Sequence, residues 1–186
     1  MKTLVIHPED PTTEFLSVIY DGKGYTVITD RHIKLSEVLD AVRNHDRIMM
    51  MGHGTPHGLI GYSHIFMDKD FIKLLQTKDC VCIWCNADVY VLQQGIKGFY
   101  TGMFISEVRE AEWFGIDTKQ EDIDYSNNLF VYLMKDMIES PNILNEIKSS
   151  YIGDCPIINF NNERLYYRDE ESVLNYKDIL DDLIII

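Results

Sequence analysis

The sequence predicts a single α/β domain over residues 1–186, a three-layer α/β/α sandwich on a mainly parallel sheet. Three observations carry that expectation. Short β-branched apolar runs alternate with stretches whose apolar residues recur at helical spacing. The third and fourth runs are apolar throughout, as strands covered on both faces are. A length of 186 residues, 46% hydrophobic and 25% charged, suits one globular domain with a substantial core.

The elements follow in order. Thr3-Leu4-Val5-Ile6 is the first strand, and Asp10-Pro11 then offers a cap and a Pro for a helix with Phe15, Leu16 and Ile19 on one face. Tyr25 to Ile28 is the second strand, after Gly22-Lys23-Gly24, and Leu35, Val38, Leu39 and Val42 mark a helix behind it. Ile48 to Met51 is the third strand, ended by Gly52. Leu59 to Phe66 reads as a short hairpin, and Asp68 as the cap of a helix that turns Phe71, Ile72 and Leu75 inward. Cys80 to Cys85 is the fourth strand. This alternation predicts parallel pairing through right-handed crossovers.

Beyond residue 98 the pattern turns helical. Thr118-Lys119-Gln120-Glu121 reads as a capping box ahead of a stripe of Ile123, Phe130, Leu133, Met134 and Met137. Ser140-Pro141 starts a helix with Ile143, Leu144 and Ile147 inward. Pro156 to Phe160 and Arg164 to Tyr167 flank Asn161-Asn162 as a hairpin would. The acidic tail from Val173 reads as a terminal helix.

Thirty Asp and Glu against 17 Lys and Arg leave a net charge of −13, which repels phosphate backbones and anionic lipid. Nucleic acid and membrane are therefore not expected partners. No apolar segment is long enough to span a bilayer, and only three apolar residues separate Met1-Lys2-Thr3 from His7-Pro8, too few for a secretory core. The four cysteines, three of them between residues 80 and 85, fit no disulfide framework. A cytoplasmic location is the expectation.

Chemistry concentrates at two strand ends. The third strand runs into Gly52-His53-Gly54, then Thr55-Pro56-His57-Gly58-Leu59; the fourth runs into Cys85-Asn86-Ala87-Asp88. Carboxyl ends of neighbouring parallel strands share one crevice, so His53 and Cys85 are expected to meet there. An imidazole beside a thiol is the smallest nucleophilic pair. The amides of Gly54 and Cys85 could receive the oxyanion of an attacked acyl carbon.

The stretches IMMMGHGTPHGL and VCIWCNA resemble the His and Cys motifs of caspase-like cysteine peptidases, closest to the CHAT type, in which a strand often ends in Cys-Asn. The likeness covers roughly residues 25–168, with only the two short motifs specific. It implies a caspase-haemoglobinase-like fold, His53 as general base or imidazolium partner, Cys85 as nucleophile, Gly54 as oxyanion-hole donor, and a peptide or protein substrate with no cofactor. The pattern departs in two places. The caspase Q-A-C signature is absent, and Ile83 stands where metacaspases often place an acidic residue two before the nucleophile, so that branch's substrate pocket does not transfer.

Substrate contacts are assigned to Asp88 and His57. Asp88, with Glu107, Glu110 and Glu112, would favour a basic side chain by charge complementarity; the simpler reading puts those three glutamates on a solvated helix face and makes Asp88 a helix cap. Cys80, Cys82 and Cys155 read as packing residues, and His64 as the polar face of a hairpin. A zinc site from His53, His57, His64 and Cys82 or Cys85 is disfavoured, because Gly54, Pro56 and Gly58 bar the helix that metal-binding pairs four apart require. No phosphate-binding fingerprint follows Cys85. The rival to a hydrolase is a non-catalytic interaction module on the same fold, suggested by the little room left for specificity loops.

Overall fold

A computed structural model describes residues 1–169, and the expected terminal helix from Val173 lies outside them. Six strands form the main sheet: β1 (Thr3–Ile6), β2 (Thr26–Ile28), β3 (Arg47–Met51), then, after the small ribbon β4 (Gly54–Thr55) and β5 (Gly58–Leu59), β6 (Asp79–Ile83), β7 (Gly98–Thr101) and β8 (Leu165–Arg168). Their order is β2-β1-β3-β6-β7-β8. All neighbours pair in parallel except β7 and β8. The fold is thus an α/β sandwich on a mainly parallel sheet.

Because side chains alternate across a strand, β3 feeds two cores. Ile48 and Met50 join Leu4, Ile6, Cys80 and Cys82 against α1 (Leu35–Arg43), α2 (Ser63–Phe66), α3 (Lys69–Leu75) and α4 (Ala87–Gln94). Met49 and Met51 face the other way with Val5, Val81, Ile83 and Phe99. That face is covered by a 3-10 helix (Glu14–Ile19), α6 (Gln120–Met137), α7 (Ile143–Ser150) and α8 (Pro156–Glu163). Between β7 and α6 lies the short α5 (Val108–Trp113).

Several expectations are corrected. The Leu59–Phe66 hairpin is displaced: the ribbon pairs Gly54 with Leu59, and residues from Ser63 form one helical turn that carries His64, exposed. The helix expected after Asp10 is a 3-10 helix over Glu14–Ile19, its amides reaching back three residues, as from Leu16 to the Thr13 carbonyl at 3.0 Å and from Tyr20 to the Ser17 carbonyl at 3.1 Å. The capping carboxylate of α6 is Asp122, which accepts from the Lys119 amide at 3.3 Å and the Thr118 hydroxyl at 3.5 Å. Residues 98–101 form a strand rather than continuing helically. Pro156 to Glu163 is a helix with Pro at its first position. Its buried Asn161 accepts from the Ile105 amide at 2.7 Å and donates to the Ile105 carbonyl at 2.9 Å, so the apparent turn residue is a clamp between α8 and the chain after β7.

Among the described residues, no helix is long and apolar enough to cross a membrane.

Candidate active site

β3 and β6 are direct neighbours, with Met50 opposite Cys82 and Met51 opposite Ile83. The Gly52 amide extends the ladder to the Ile83 carbonyl at 3.0 Å. His53 and Cys85 therefore leave the same sheet edge side by side. Both line one small cavity of about 20 Å³, with Gly52, Phe15, Phe104 and Ser106.

Cys85 sits in a tight exit from β6. The Thr101 hydroxyl accepts from the Trp84 amide at 3.2 Å and donates to its carbonyl at 2.9 Å, pinning the strand end. Asn86 then takes a left-handed conformation, φ 64°, which asparagine tolerates better than most residues, and α4 begins at Ala87. The thiol is half-buried. It donates to the Phe104 carbonyl at 3.4 Å and lies 3.7 Å from Glu110 Oε1. Burial, and then the Glu110 carboxylate, push the Cys85 thiol up to about 12. At neutral pH the thiol is protonated, so chemistry here begins from S–H and needs a base.

Glu110 corrects the solvated-face reading: it is buried at 8% exposure. Its Oε2 accepts from the amides of Ser106 and Glu107, at 2.7 and 3.2 Å, at the start of α5. The exposed Glu112 keeps the solvated reading. Glu107, with Asp124 and Asn127, lines a larger cavity of about 580 Å³. That cavity shares Phe15 and Ser106 with the one beside the thiol.

His53 is half-buried, and its Nε2 lies 2.6 Å from Thr12 Oγ1. The Thr12 hydroxyl donates to Asp10 Oδ1 at 2.7 Å, and Arg31 Nη2 donates to Asp10 Oδ2 at 2.9 Å. This loop leaves β1, which pairs with β3, so three consecutive neighbours in the sheet, β1, β3 and β6, contribute to one edge. Sequence reasoning treated Asp10 as a helix cap only and passed over Thr12. The available signal was the run Asp-Pro-Thr-Thr after the first strand, at the edge where β1 also ends.

Three other assigned residues are not brought into the cavity shared by His53 and Cys85. Gly54 lies in β4, against the Trp84 ring, and it is Gly52 that lines the cavity wall. His57 is exposed at the ribbon's turn, its amide donating to Thr55 Oγ1 at 3.1 Å. Asp88 lies in the first turn of α4, 3.5 Å from the position a Gly102 Cβ would take, with its Oδ1 buried and without a hydrogen bond. Trp84, which could have blocked the thiol, turns into the opposite core and donates to the Thr55 carbonyl at 3.1 Å. Among the described residues, no group of three or more His, Cys, Asp and Glu is arranged to hold a metal ion.

Beneath the Asp10 loop, His7 is buried between the Tyr20 hydroxyl at 3.0 Å and Thr13 Oγ1 at 3.3 Å. Burial lowers its pKa against the raising pull of the Glu14 carboxylate. The unfolded chain therefore binds this proton more readily, so the neutral ring's contribution is full above ~6.5 and declines as pH falls from there toward the folded value. Urea midpoints measured at about pH 7.5 and about 5.5 should fall more steeply in the parent than in His7→Gln. Equal slopes would remove His7 as a source of acid lability.

Compared with protein-family models, curated proteins and solved structures, the chain gives no match.

Proposed function

We propose that this chain is a cysteine hydrolase that transfers acyl groups from peptide substrates, related to the caspase-like peptidases and closest to the CHAT type. The observation that carries the reading is the meeting of His53 and Cys85 in one cavity at the ends of adjacent parallel strands. The neighbouring 580 Å³ cavity offers room for residues flanking a scissile bond. The motifs Gly52-His53-Gly54 and Cys85-Asn86 supply the family likeness.

In this reading His53 takes the Cys85 proton as the sulfur attacks the carbonyl carbon, and the proton passes to the departing amine. Water then hydrolyses the thioester and restores the thiol. The Cys85 amide, two residues before α4, is a candidate donor to the oxyanion; the Gly52 amide is committed to the Ile83 carbonyl and is not one. Neutral S–H in the resting site means general-base attack rather than a standing thiolate.

A peptidyl acyloxymethyl ketone should alkylate the parent at Cys85, give no adduct in Cys85→Ala, and react at least about a hundredfold more slowly in His53→Ala. Equal labelling of parent and Cys85→Ala, with both folded, would take Cys85 out of the role. The second reading, a non-catalytic interaction module, draws support from the 20 Å³ cavity and the raised thiol pKa. It expects no Cys85 adduct from the folded parent.

A further inference from the structure

We propose that Asp10, acting through the Thr12 hydroxyl, is the positioning residue that sets which nitrogen of His53 serves as base. The inference rests on the hydrolase reading for its consequence, while its geometry stands by itself. The Asp10 carboxylate, when ionised, has no proton to give, so the 2.7 Å contact runs from Thr12 O–H to Asp10 Oδ1. A hydroxyl has one proton. Having spent it on Asp10, Thr12 Oγ1 can only accept at the 2.6 Å contact with His53 Nε2, and Nε2 must carry a proton. The neutral ring is then the Nε2–H tautomer, and Nδ1 holds the lone pair.

The carboxylate is secured from several sides. Its Oδ1 also accepts from the Thr12 amide at 3.0 Å, and its Oδ2 pairs with Arg31 at 2.9 Å. The Thr12 hydroxyl, followed by the other partners, holds the Asp10 carboxyl down at about 2, so the donor direction is set throughout the neutral range. Asp10 thus orients the imidazole one hydroxyl removed, and when Nδ1 takes the Cys85 proton, the resulting imidazolium still finds an acceptor for Nε2–H. The proton leaves sulfur for Nδ1 and later goes to the amine, with no other reactant needed.

The test is ¹⁵N-histidine NMR on the full chain, with the His53 signals assigned by their loss in His53→Gln. The parent should show a ring proton on Nε2 and a lone pair on Nδ1. Thr12→Ser should keep that pattern. In Asp10→Ala the freed hydroxyl can donate to Nε2, so an Nδ1–H population should grow; in Thr12→Val the Nε2 ring proton should lose its protection from solvent exchange. Spectra of Asp10→Ala and Thr12→Val identical to the parent's would overturn the proposal.

Acyloxymethyl ketone labelling separates this from the broader reading. A roughly tenfold slower reaction in Thr12→Val, rescued in Thr12→Ser, supports the relay as part of the chemistry. Changed tautomers with no Cys85 labelling in any protein would retain the positioning and defeat the hydrolase. Normal labelling with unchanged tautomers would do the reverse.

Discussion

Replacing Gly98 by Ala should lower the stability of the chain by at least about 3 kcal/mol, a fall in Tm of roughly 6–12 °C for a domain this size. Gly98 opens β7 at φ 123°, where a side chain is strained whatever surrounds it. An added Cβ would stand 1.8 Å from the Cys80 carbonyl oxygen and 2.8 Å from its backbone nitrogen. These are backbone atoms of the adjoining strand and cannot rotate aside. Relief requires β6 and β7 to part, at the pairing of Cys80 with Gly98 and the bond from the Cys80 amide to the Lys97 carbonyl at 3.1 Å. Gly115→Ala is the control: φ is 67°, nothing lies within 4 Å, and the cost should be only about 1–2 kcal/mol. Urea unfolding of the two variants decides it, and similar losses would mean that the β6–β7 approach is not a hard contact.

Glu110→Gln should speed alkylation of Cys85 by iodoacetamide at neutral pH about tenfold, roughly one pKa unit of restored thiolate. Burial, which the substitution leaves, and then the carboxylate 3.7 Å away, which it neutralises, hold the thiol protonated, with a smaller push from the Glu107 charge that also stays. The sign follows from charge. A negative neighbour disfavours the thiolate, so its removal brings the thiol pKa down and moves the alkaline rise in reactivity to lower pH. The amide oxygen of Gln can still accept from Ser106 N, so the start of α5 should lose only about 1 kcal/mol. An unchanged rate-pH profile would show that the Glu110 charge is not what keeps the thiol neutral. Productive catalysis in the proposed hydrolase would then need the wall near Phe104, rather than the carboxylate, to move.

Periodicity and composition made the first half of the chain legible. β1, β2, β3 and β6 are short β-branched or fully apolar runs, and the stripe Leu35, Val38, Leu39, Val42 is the buried side of α1. β7 was missed because Gly-Phe-Tyr-Thr is four residues long and opens on a strand-weakening glycine. What makes it a strand is the space beside Cys80. α8 was misread because Asn161-Asn162 looks like a turn, whereas Asn161 instead satisfies both backbone groups of Ile105, 56 residues away. Local propensity carries no term for such a partner.

The site divides the same way. That His53 and Cys85 sit at strand ends can be read from Gly-His-Gly and from the apolar run before Cys85. The adjacency of β3 and β6 was expected as well, from the strand-helix-strand alternation, and the pairing bears it out. That the β1 loop brings Asp10 and Thr12 to the imidazole, and that Glu110 turns inward to the thiol, depend on contacts between segments far apart in the chain. The amino-acid order by itself determined most of the alternating elements, the net negative charge and the placing of one imidazole and one thiol at strand ends, because these follow from spacing and residue type. Only the tertiary structure decided the company those side chains keep, since a hydrogen bond or a carboxylate a few ångströms away is set by strand order and packing rather than by position in the sequence.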